Sequence, residues 1–115
     1  MTPGKRGLVL VIDGDAGTRG VLSGFLRNVG YTTAEAATGA EALRKVTAGV
    51  SAAATVCDAD SFVEGLPPPL LLLTASRTAS RGTAQAALAK PFQLVDFGDS
   101  VLRLLKDHPR SPAVP

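Results

Sequence analysis

Tryptophan is absent from this 115-residue chain, aromatic residues make up only 4% of it, and cysteine occurs once. The single cysteine, Cys57, excludes an intrachain disulfide and a cluster of metal-binding thiolates. We predict that it is strand core, because a buried thiol behaves as a small hydrophobic group. With so few aromatic residues the core has to rest on Val, Leu and Ala, which favours parallel strands covered by small-residue helices over an aromatic-rich sandwich.

Concentrated charge and long apolar runs are also missing. The formal net charge is +2, and the twelve Lys and Arg residues are scattered along the chain, whereas DNA binding calls for a basic stripe on one face. The apolar runs at residues 8–12 and 70–73 are far below the roughly 20 residues that a membrane span needs. The first run is also too short for the core of a signal peptide. We therefore expect no nucleic-acid partner, no membrane partner and a cytoplasmic location.

The composition that remains is typical of one globular domain, with 45% hydrophobic and 19% charged residues. A chain of this length fits a single domain. The last residues contain Pro109, Pro112 and Pro115. We predict a domain over residues 1–107 and a disordered tail over 108–115.

Strand-like and helix-like segments alternate along the chain. Predicted strands cover residues 8–12, 31–36, 53–57, 70–73 and, more weakly, 84–88. One helical face is marked by Val21, Leu22, Phe25, Leu26 and Val29, before Gly30. A Thr-x-x-Glu capping box, Thr38 to Glu41, opens the second helix, and the last helix is predicted to start at Pro91 and to end near Lys106 and His108.

This alternation predicts an α/β fold, an open parallel sheet of about five strands with flanking helices. Two connections are too short for a normal crossover, which usually takes a dozen or more residues including a helix. Eleven residues (59–69) join the third and fourth strands, and nine (75–83) join the fourth and fifth. We therefore expect the third helix to be absent or one turn long and the fourth to be a stub at best.

Polar residues follow four of the predicted strands at the point where each strand ends. They are Asp13, Asp58, Thr74 and Lys90. Ligands of open parallel sheets bind beyond the carboxyl ends of the strands. The sequence therefore predicts that these four side chains converge into one site.

The order of these motifs resembles the receiver domain of response regulators in two-component signalling, with its flavodoxin-like sheet. The resemblance covers residues 8 to about 105. It is carried by the acidic turn at 12–15, Gly30-Tyr31, the helix start at 39–43, strand-end Asp58, the Leu-Thr-Ala at 73–75 and the Lys-Pro-Phe at 90–92.

The resemblance implies a phosphorelay function that is not that of a turnover enzyme. Asp58 would accept a phosphoryl group, since a carboxylate can act as the nucleophile. Lys90 would neutralise phosphoryl oxygens, and the Thr74 hydroxyl would hydrogen-bond one of them. Mg²⁺ would be the cofactor, with Asp13, Asp15 and Asp58 as its candidate ligands. The implied partners are a histidine kinase or phosphotransfer protein, a downstream protein and a second copy of the chain. The implied docking surface is the edge of the fifth strand and the final helix, near Asp99 and Arg103.

The sequence departs from the family pattern at two positions. Gly14 stands where the family places a direct metal ligand, so we expect weakened Mg²⁺ affinity unless Asp15 or Asp60 substitutes for it. Ala87 stands where the family has an aromatic switch residue, three positions before the lysine. These departures, together with the two short crossovers, support a second hypothesis, a degenerate receiver that acts as a phosphorylation-independent interaction module.

Other interpretations of the same residues remain open. Asp13 and Asp15 could cap the first helix, Asp58 could belong to a polar turn, Thr74 could merely end a strand, and Lys90 could be a loop charge or a structural partner of Asp58. A third hypothesis, a nucleotide-binding enzyme, is disfavoured because no Gly-rich phosphate loop of Walker or Rossmann spacing follows the first strand.

Overall fold

The computed structural model describes residues 6–75 and 84–108. Within them the elements are β1 (Leu8–Ile12), α1 (Ala16–Asn28), β2 (Thr32–Ala36), α2 (Gly39–Thr47), β3 (Ala54–Asp58), a one-turn 3₁₀ helix (Ala59–Ser61), β4 (Leu70–Thr74), β5 (Ala86–Ala89) and α3 (Leu94–Asp107). The predicted fourth helix and nearly all of the predicted tail lie outside the described residues.

The five strands form one parallel sheet in the order β2-β1-β3-β4-β5. All four pairings are parallel, which confirms the predicted α/β fold. Even the weakly predicted β5 pairs along its full length, from Leu71 opposite Ala86 to Thr74 opposite Ala89. The order changes direction at β1, whose neighbours are β2 and β3, so the carboxyl ends of β1 and β3 lie side by side.

Alternate side chains of the strands build two cores, one on each face of the sheet. The first core lies under α1 and α3 and contains Val9, Val11, Leu22, Leu26, Tyr31, Ala54, Val56, Leu71, Leu73, Phe97, Val101 and Leu104. The second lies under α2 and the β3–β4 connection and contains Leu10, Ile12, Ala36, Ala42, Cys57, Leu66, Leu70, Leu72 and Ala84. Cys57 is fully buried, as the sequence predicted.

Helix α1 ends at the residues that its sequence indicates. Gly30 has φ +106°, and the N–H groups of Gly30 and Tyr31 donate to the carbonyls of Arg27 and Leu26, which is a Schellman motif. Two residues of the predicted buried face are nevertheless exposed, Val21 at 54% and Val29 at 37%. The helical period alone gave too wide an apolar stripe, because only Leu22, Phe25 and Leu26 of the predicted face pack on the first core.

The connection from β3 to β4 contains a single 3₁₀ turn, which confirms that the third helix is reduced to one turn. Phe62 and Val63 pack on the second core in its place, and Leu66 is part of that core. The first residue of α2, Gly39, makes this packing close. A Cβ at Gly39 would lie 2.8 Å from both Cγ atoms of Val63 and would also meet the Ser61 carbonyl oxygen.

The last helix begins at Leu94, so the predicted start at Pro91 is wrong. Gln93 is the N-cap and has extended backbone angles. The preceding Phe92 stacks on Phe97, with 5.8 Å between ring centroids. This contact joins the residue before the N-cap to the fourth helical residue, which is a hydrophobic staple. The staple holds the chain extended past Pro91 and delays the helix by three residues.

Candidate functional site

The four predicted strand-end residues all lie at the carboxyl edge of the sheet. Asp13 directly follows β1, Asp58 ends β3, Thr74 ends β4 and Lys90 directly follows β5. The Lys90 N–H donates to the Thr74 carbonyl at 2.7 Å. The end of β5 is thereby tied to the end of β4, and the lysine side chain starts from a fixed point.

Lys90 brings the two aspartates together. Its Nζ donates to Asp58 Oδ1 at 2.9 Å and lies 3.5 Å from Asp13 Oδ2. The Asp13 side chain is only 3% exposed, that of Asp58 19% and that of Lys90 35%. Two carboxylates and one ammonium therefore share a largely buried cluster, and the ammonium makes its shorter contact with Asp58.

The pKa of Lys90 follows from this position. Partial burial alone would lower the pKa, but the hydrogen bond to Asp58 and the negative charges of Asp13 and Asp58 outweigh burial and raise it. An opposite charge within hydrogen-bonding distance stabilises the protonated amine. Lys90 is therefore held as a cation at the centre of the site.

Asp15, the third predicted metal ligand, faces the first turn of α1 instead of the cluster. Its Oδ2 accepts hydrogen bonds from the Thr18 N–H at 2.8 Å and from the Thr18 hydroxyl at 2.6 Å. These bonds make it the N-cap of α1 and lower its pKa, because they stabilise the ionised carboxylate. The helix-cap interpretation therefore describes Asp15 in this structure, and its part in metal binding stays a prediction.

The remaining positions that bear on the site are small or exposed, except Thr74. The Thr74 residue is 2% exposed. Gly14, Asp60 and Ala87 are all exposed, Asp60 within the one-turn helix after Asp58. No side chain is available at Gly14 to face Asp13 and Asp58.

Cys57 lies next to Asp58 but faces the second core. Burial, followed by the charges of Asp58 and Asp13, raises the pKa of its thiol to about 12. A thiol protonated at neutral pH is a poor nucleophile. Cys57 therefore supports the strand rather than contributing chemistry.

Arg19 is a site residue that the sequence analysis missed. Its Nη1 donates to the Asp13 carbonyl oxygen at 2.7 Å, and its Nε lies 3.4 Å from Glu35 Oε1. The available signal was an arginine in the first turn of the helix after the acidic turn, combined with an acid on the strand that pairs with β1. Neither feature is specific in isolation.

An open groove of about 880 Å³ lies beside the cluster, between α1 and the β5–α3 connection. Its walls include Asp15, Thr18, Val21, Lys90, Phe92 and Leu94. The exposure of Val21 is explained by this position, because its side chain borders the groove rather than the core. The groove gives a ligand direct access to Lys90.

The acidic residues meet the minimal requirement for Mg²⁺. Within residues 6–75 and 84–108, no three side chains of Asp, Glu, His or Cys lie together in a way that could hold a metal ion. Mg²⁺ nevertheless commonly uses only one or two carboxylates, keeps several waters and adds phosphate oxygens of the substrate. Asp13 and Asp58, held at one edge by Lys90, fit that smaller ligand set.

Several solved structures of similar fold are response regulators or their receiver domains. The chemotaxis response regulator CheY4 of Vibrio cholerae is 23% identical, with a TM-score of 0.75 over 90% of this chain and 100% of its own. A receiver domain of a histidine kinase from Syntrophus aciditrophicus is 21% identical, with a TM-score of 0.76 over 95% of this chain and 97% of its own. The response regulator receiver protein of Burkholderia phymatum is 26% identical, with a TM-score of 0.74 over 91% and 96%.

The fold is that of a response-regulator receiver domain. The short connection after β3 leaves β3 and β4 as neighbouring, parallel-paired strands. No protein-family model matches the chain, and no curated protein matches it in sequence. Among the described elements of this receiver fold, no helix is long and apolar enough to cross a membrane.

Proposed function

We propose that this chain is a receiver-type signalling domain that accepts a phosphoryl group on Asp58. The observation that carries the proposal is the contact of Lys90 Nζ with Asp58 Oδ1 at 2.9 Å, beside the buried carboxylate of Asp13. A nucleophilic carboxylate, a second carboxylate and a fixed cation at one sheet edge are what phosphoryl transfer to an aspartate requires. The receiver structures of similar fold support the same signalling role.

In the proposed reaction an oxygen of the Asp58 carboxylate attacks phosphorus and forms a new P–O bond. The bond from phosphorus to the leaving group of the donor breaks, and the leaving group departs with the electron pair. The Lys90 ammonium is positioned to neutralise a phosphoryl oxygen, since its pKa is raised and its side chain borders the open groove. Asp13 and Asp58 would hold Mg²⁺, which when bound supplies further positive charge to the phosphoryl oxygens.

Two features determine how tightly we expect the site to bind Mg²⁺. Gly14 offers no carboxylate, and Asp15 is committed to the N-cap of α1. The site therefore presents two carboxylates rather than three, and we expect Mg²⁺ to bind weakly. The Thr74 hydroxyl is proposed to bind a phosphoryl oxygen, and Ala87 provides no aromatic group to relay that event to β5.

A histidine kinase or a phosphotransfer protein is the proposed donor, and the donor residue would approach Asp58 through the groove beside Lys90. A downstream protein or a second copy of the chain is the proposed receptor of the signal. The exposed surface of α3, which includes Asp99 and Arg103, is the proposed contact for either.

The test is the mass of the intact protein after incubation with acetyl phosphate and Mg²⁺. We expect the wild-type protein to gain one phosphoryl group and Asp58→Asn to gain none. Asp107→Asn is the control, because it removes an exposed carboxylate at the C-terminal end of α3, away from the site, and should leave the gain intact. Absence of the gain in wild type at saturating donor would reject phosphoryl transfer.

A second function, a phosphorylation-independent interaction module, is favoured by the capping role of Asp15 and by the existing Lys90–Asp58 ion pair. In that case the pairing of Lys90 with Asp58 is structural and no signal depends on phosphate. Partner binding that is the same for wild type and Asp58→Asn, with and without acetyl phosphate, would support this function. Binding that appears only after phosphorylation would reject it.

A further inference from the structure

The guanidinium of Arg19 spans the gap between strand β2 and the acidic turn. One nitrogen, Nη1, donates to the Asp13 carbonyl oxygen at 2.7 Å, and Nε lies 3.4 Å from Glu35 Oε1 on β2. The Arg19 side chain is only 20% exposed. A hydrogen bond from a charged donor is about twice as strong as a neutral one, so this contact is a firm restraint on the turn.

Among residues 6–75 and 84–108, few other hydrogen bonds restrain the Asp13–Gly14 peptide. The Asp13 N–H donates to the Ala36 carbonyl at 3.2 Å, which fixes the start of the residue. Its carboxylate oxygen Oδ1 accepts the Asp15 N–H at 2.9 Å. The residue between them, Gly14, has no side chain and more backbone freedom than any other residue type. The bond from Arg19 is therefore what fixes the carbonyl of Asp13 and, with it, the plane of the following peptide.

The orientation of this peptide determines where the Asp13 carboxylate lies. While Oδ1 holds the Asp15 N–H, Oδ2 faces Lys90 at 3.5 Å. Because the Asp15 N–H belongs to the next peptide, a turn about ψ of Asp13 that carries Gly14 with it would move this N–H away from Oδ1. The carboxylate would then be released from its place beside Lys90 and Asp58. The side chain of Arg19 therefore acts on the site through Asp13, without contacting Asp58 itself.

Glu35 forms ion pairs with two arginines, Arg19 and Arg27, and of these two Arg19 also contacts Asp13. Arg27 Nη1 lies 3.7 Å from Glu35 Oε2 and donates to the Thr33 hydroxyl at 3.0 Å. Arg27 is on the same helix and pairs with the same carboxylate, but the groups it contacts are on β2. It is therefore a matched control for the loss of an arginine that bridges α1 and β2.

We propose that Arg19 is a positioning residue that, oriented by Glu35, fixes the Asp13–Gly14 peptide and thereby holds the Asp13 carboxylate in the site. The structural part of this proposal concerns the acidic turn alone. Its consequence for phosphoryl transfer rests on the proposed function above.

The structural part is tested by amide hydrogen exchange in Arg19→Ala and Arg27→Ala, measured by NMR. We expect the Asp15 amide to exchange roughly tenfold faster in Arg19→Ala, because its acceptor is no longer held in place, and to be unchanged within twofold in Arg27→Ala. The Val56 amide in the central strand β3 is followed in the same samples as a measure of global unfolding. Equal exchange at Asp15 in the two variants would overturn the proposal.

The functional part is tested by the Mg²⁺ dependence of Asp58 phosphorylation by acetyl phosphate. We expect Arg19→Ala to raise the half-saturating Mg²⁺ concentration roughly tenfold, since misplacement of a ligand by about 1 Å has large effects on catalysis. Arg27→Ala should match wild type within twofold. A shift of the same size in both variants, or in neither, would contradict a positioning role.

Two further variants keep the tests decisive if Arg19→Ala does not fold. Arg19→Lys and Arg27→Lys retain both positive charges, but a lysine cannot bind the Asp13 carbonyl and Glu35 through separate nitrogens. Arg19→Lys should show part of the effect on Asp15 exchange and Arg27→Lys none, whereas equal effects would reject the proposal. If wild-type protein is not phosphorylated, the proposed function fails, and the exchange comparison still decides whether Arg19 fixes the turn.

Discussion

At the scale of single residues, the carboxylates of Asp13 and Asp58 depend on one cation. Lys90 lies between them, at 3.5 Å from Asp13 and 2.9 Å from Asp58. The Asp13 side chain is almost fully buried, so little water reaches its carboxylate. A buried charge that loses its counter-ion costs more than an exposed one.

We expect Lys90→Met to lower the free energy of unfolding by about 1–2 kcal/mol, as measured by urea denaturation at pH 7. The expected loss is smaller than for a fully buried ion pair because the Lys90 side chain is 35% exposed. Lys106→Met, on the exposed surface of α3, is the control and should change stability by less than about 0.5 kcal/mol. An unchanged or increased stability of Lys90→Met would mean that desolvation cancels the attraction.

The strand-end rule predicted the convergence of Asp13, Asp58 and Lys90 from sequence, because parallel strands deliver their last residues to one edge. The orientation of Asp15 could not be predicted in this way. A carboxylate at the start of a helix can cap the helix or bind a metal with the same oxygens, and the choice depends on Thr18, which satisfies Oδ2 twice. The contact of Arg19 with Asp13 could not be predicted from the sequence either, because it depends on how Glu35 on β2 orients the arginine side chain.

At the scale of elements, the first residue of α2 packs closely against the β3–β4 connection, which takes the place of a third helix. Gly39 lies against Val63 and the Ser61 carbonyl, where a Cβ would come within 2.8 Å of Val63. Ordinary side chains do not tolerate so close an approach, so either α2 or the β3–β4 connection would have to move. Gly20 in α1 is a comparable helical glycine, but a Cβ added there would meet no atom of the described residues within 4 Å.

We expect Gly39→Ala to destabilise the protein by about 1–3 kcal/mol, the usual cost of overpacking. Gly20→Ala should leave stability unchanged or raise it by up to about 1 kcal/mol, because alanine is the better helix former. Thermal unfolding of both variants, followed by circular dichroism, checks the pair. Equal effects of the two substitutions would show that the connection yields easily and that the close approach at Gly39 is not required.

The sequence predicted which helices and strands exist, whereas the residues at which they begin and end depended on contacts between elements. Half of the predicted capping box of α2 was confirmed, since the Glu41 N–H donates to the Thr38 hydroxyl at 3.0 Å. The Glu41 carboxylate accepts the N–H of Ala37 at 2.9 Å rather than that of Thr38. The predicted start of α3 was not confirmed, because the stacking of Phe92 on Phe97 prevailed over the preference of proline for a first helical turn. Such a staple involves residues that also form the core, so local preference alone could not reveal it.

At the scale of the whole molecule, the two cores share one sheet and differ in how they are covered. Helices α1 and α3 cover the first core, whereas α2 and the β3–β4 connection cover the second. The three central strands, β1, β3 and β4, contribute side chains to both cores, so neither core can be lost while the other persists intact. This arrangement predicts a single cooperative unfolding transition.

The chain provides a probe for this prediction. Tyr31 is the single tyrosine and tryptophan is absent, so intrinsic fluorescence reports on the first core, where Tyr31 is 2% exposed. Leu66, on the opposite face, is 8% exposed and belongs to the second core. A change at Leu66 therefore tests whether the faces unfold together.

We expect Leu66→Ala to lower the free energy of unfolding by about 2–4 kcal/mol, as is usual when a buried leucine is truncated. Because the sheet couples the two cores, the urea midpoint should fall equally by Tyr31 fluorescence and by far-ultraviolet circular dichroism. Leu102→Ala, on the exposed face of α3 at 41% exposure, should change both midpoints little. If the Leu66 variant shifted the circular dichroism midpoint but left the Tyr31 transition in place, the β3–β4 connection and α2 would form a separate unfolding unit. The one-turn crossover would then act as a loosely attached cover rather than as part of the receiver core.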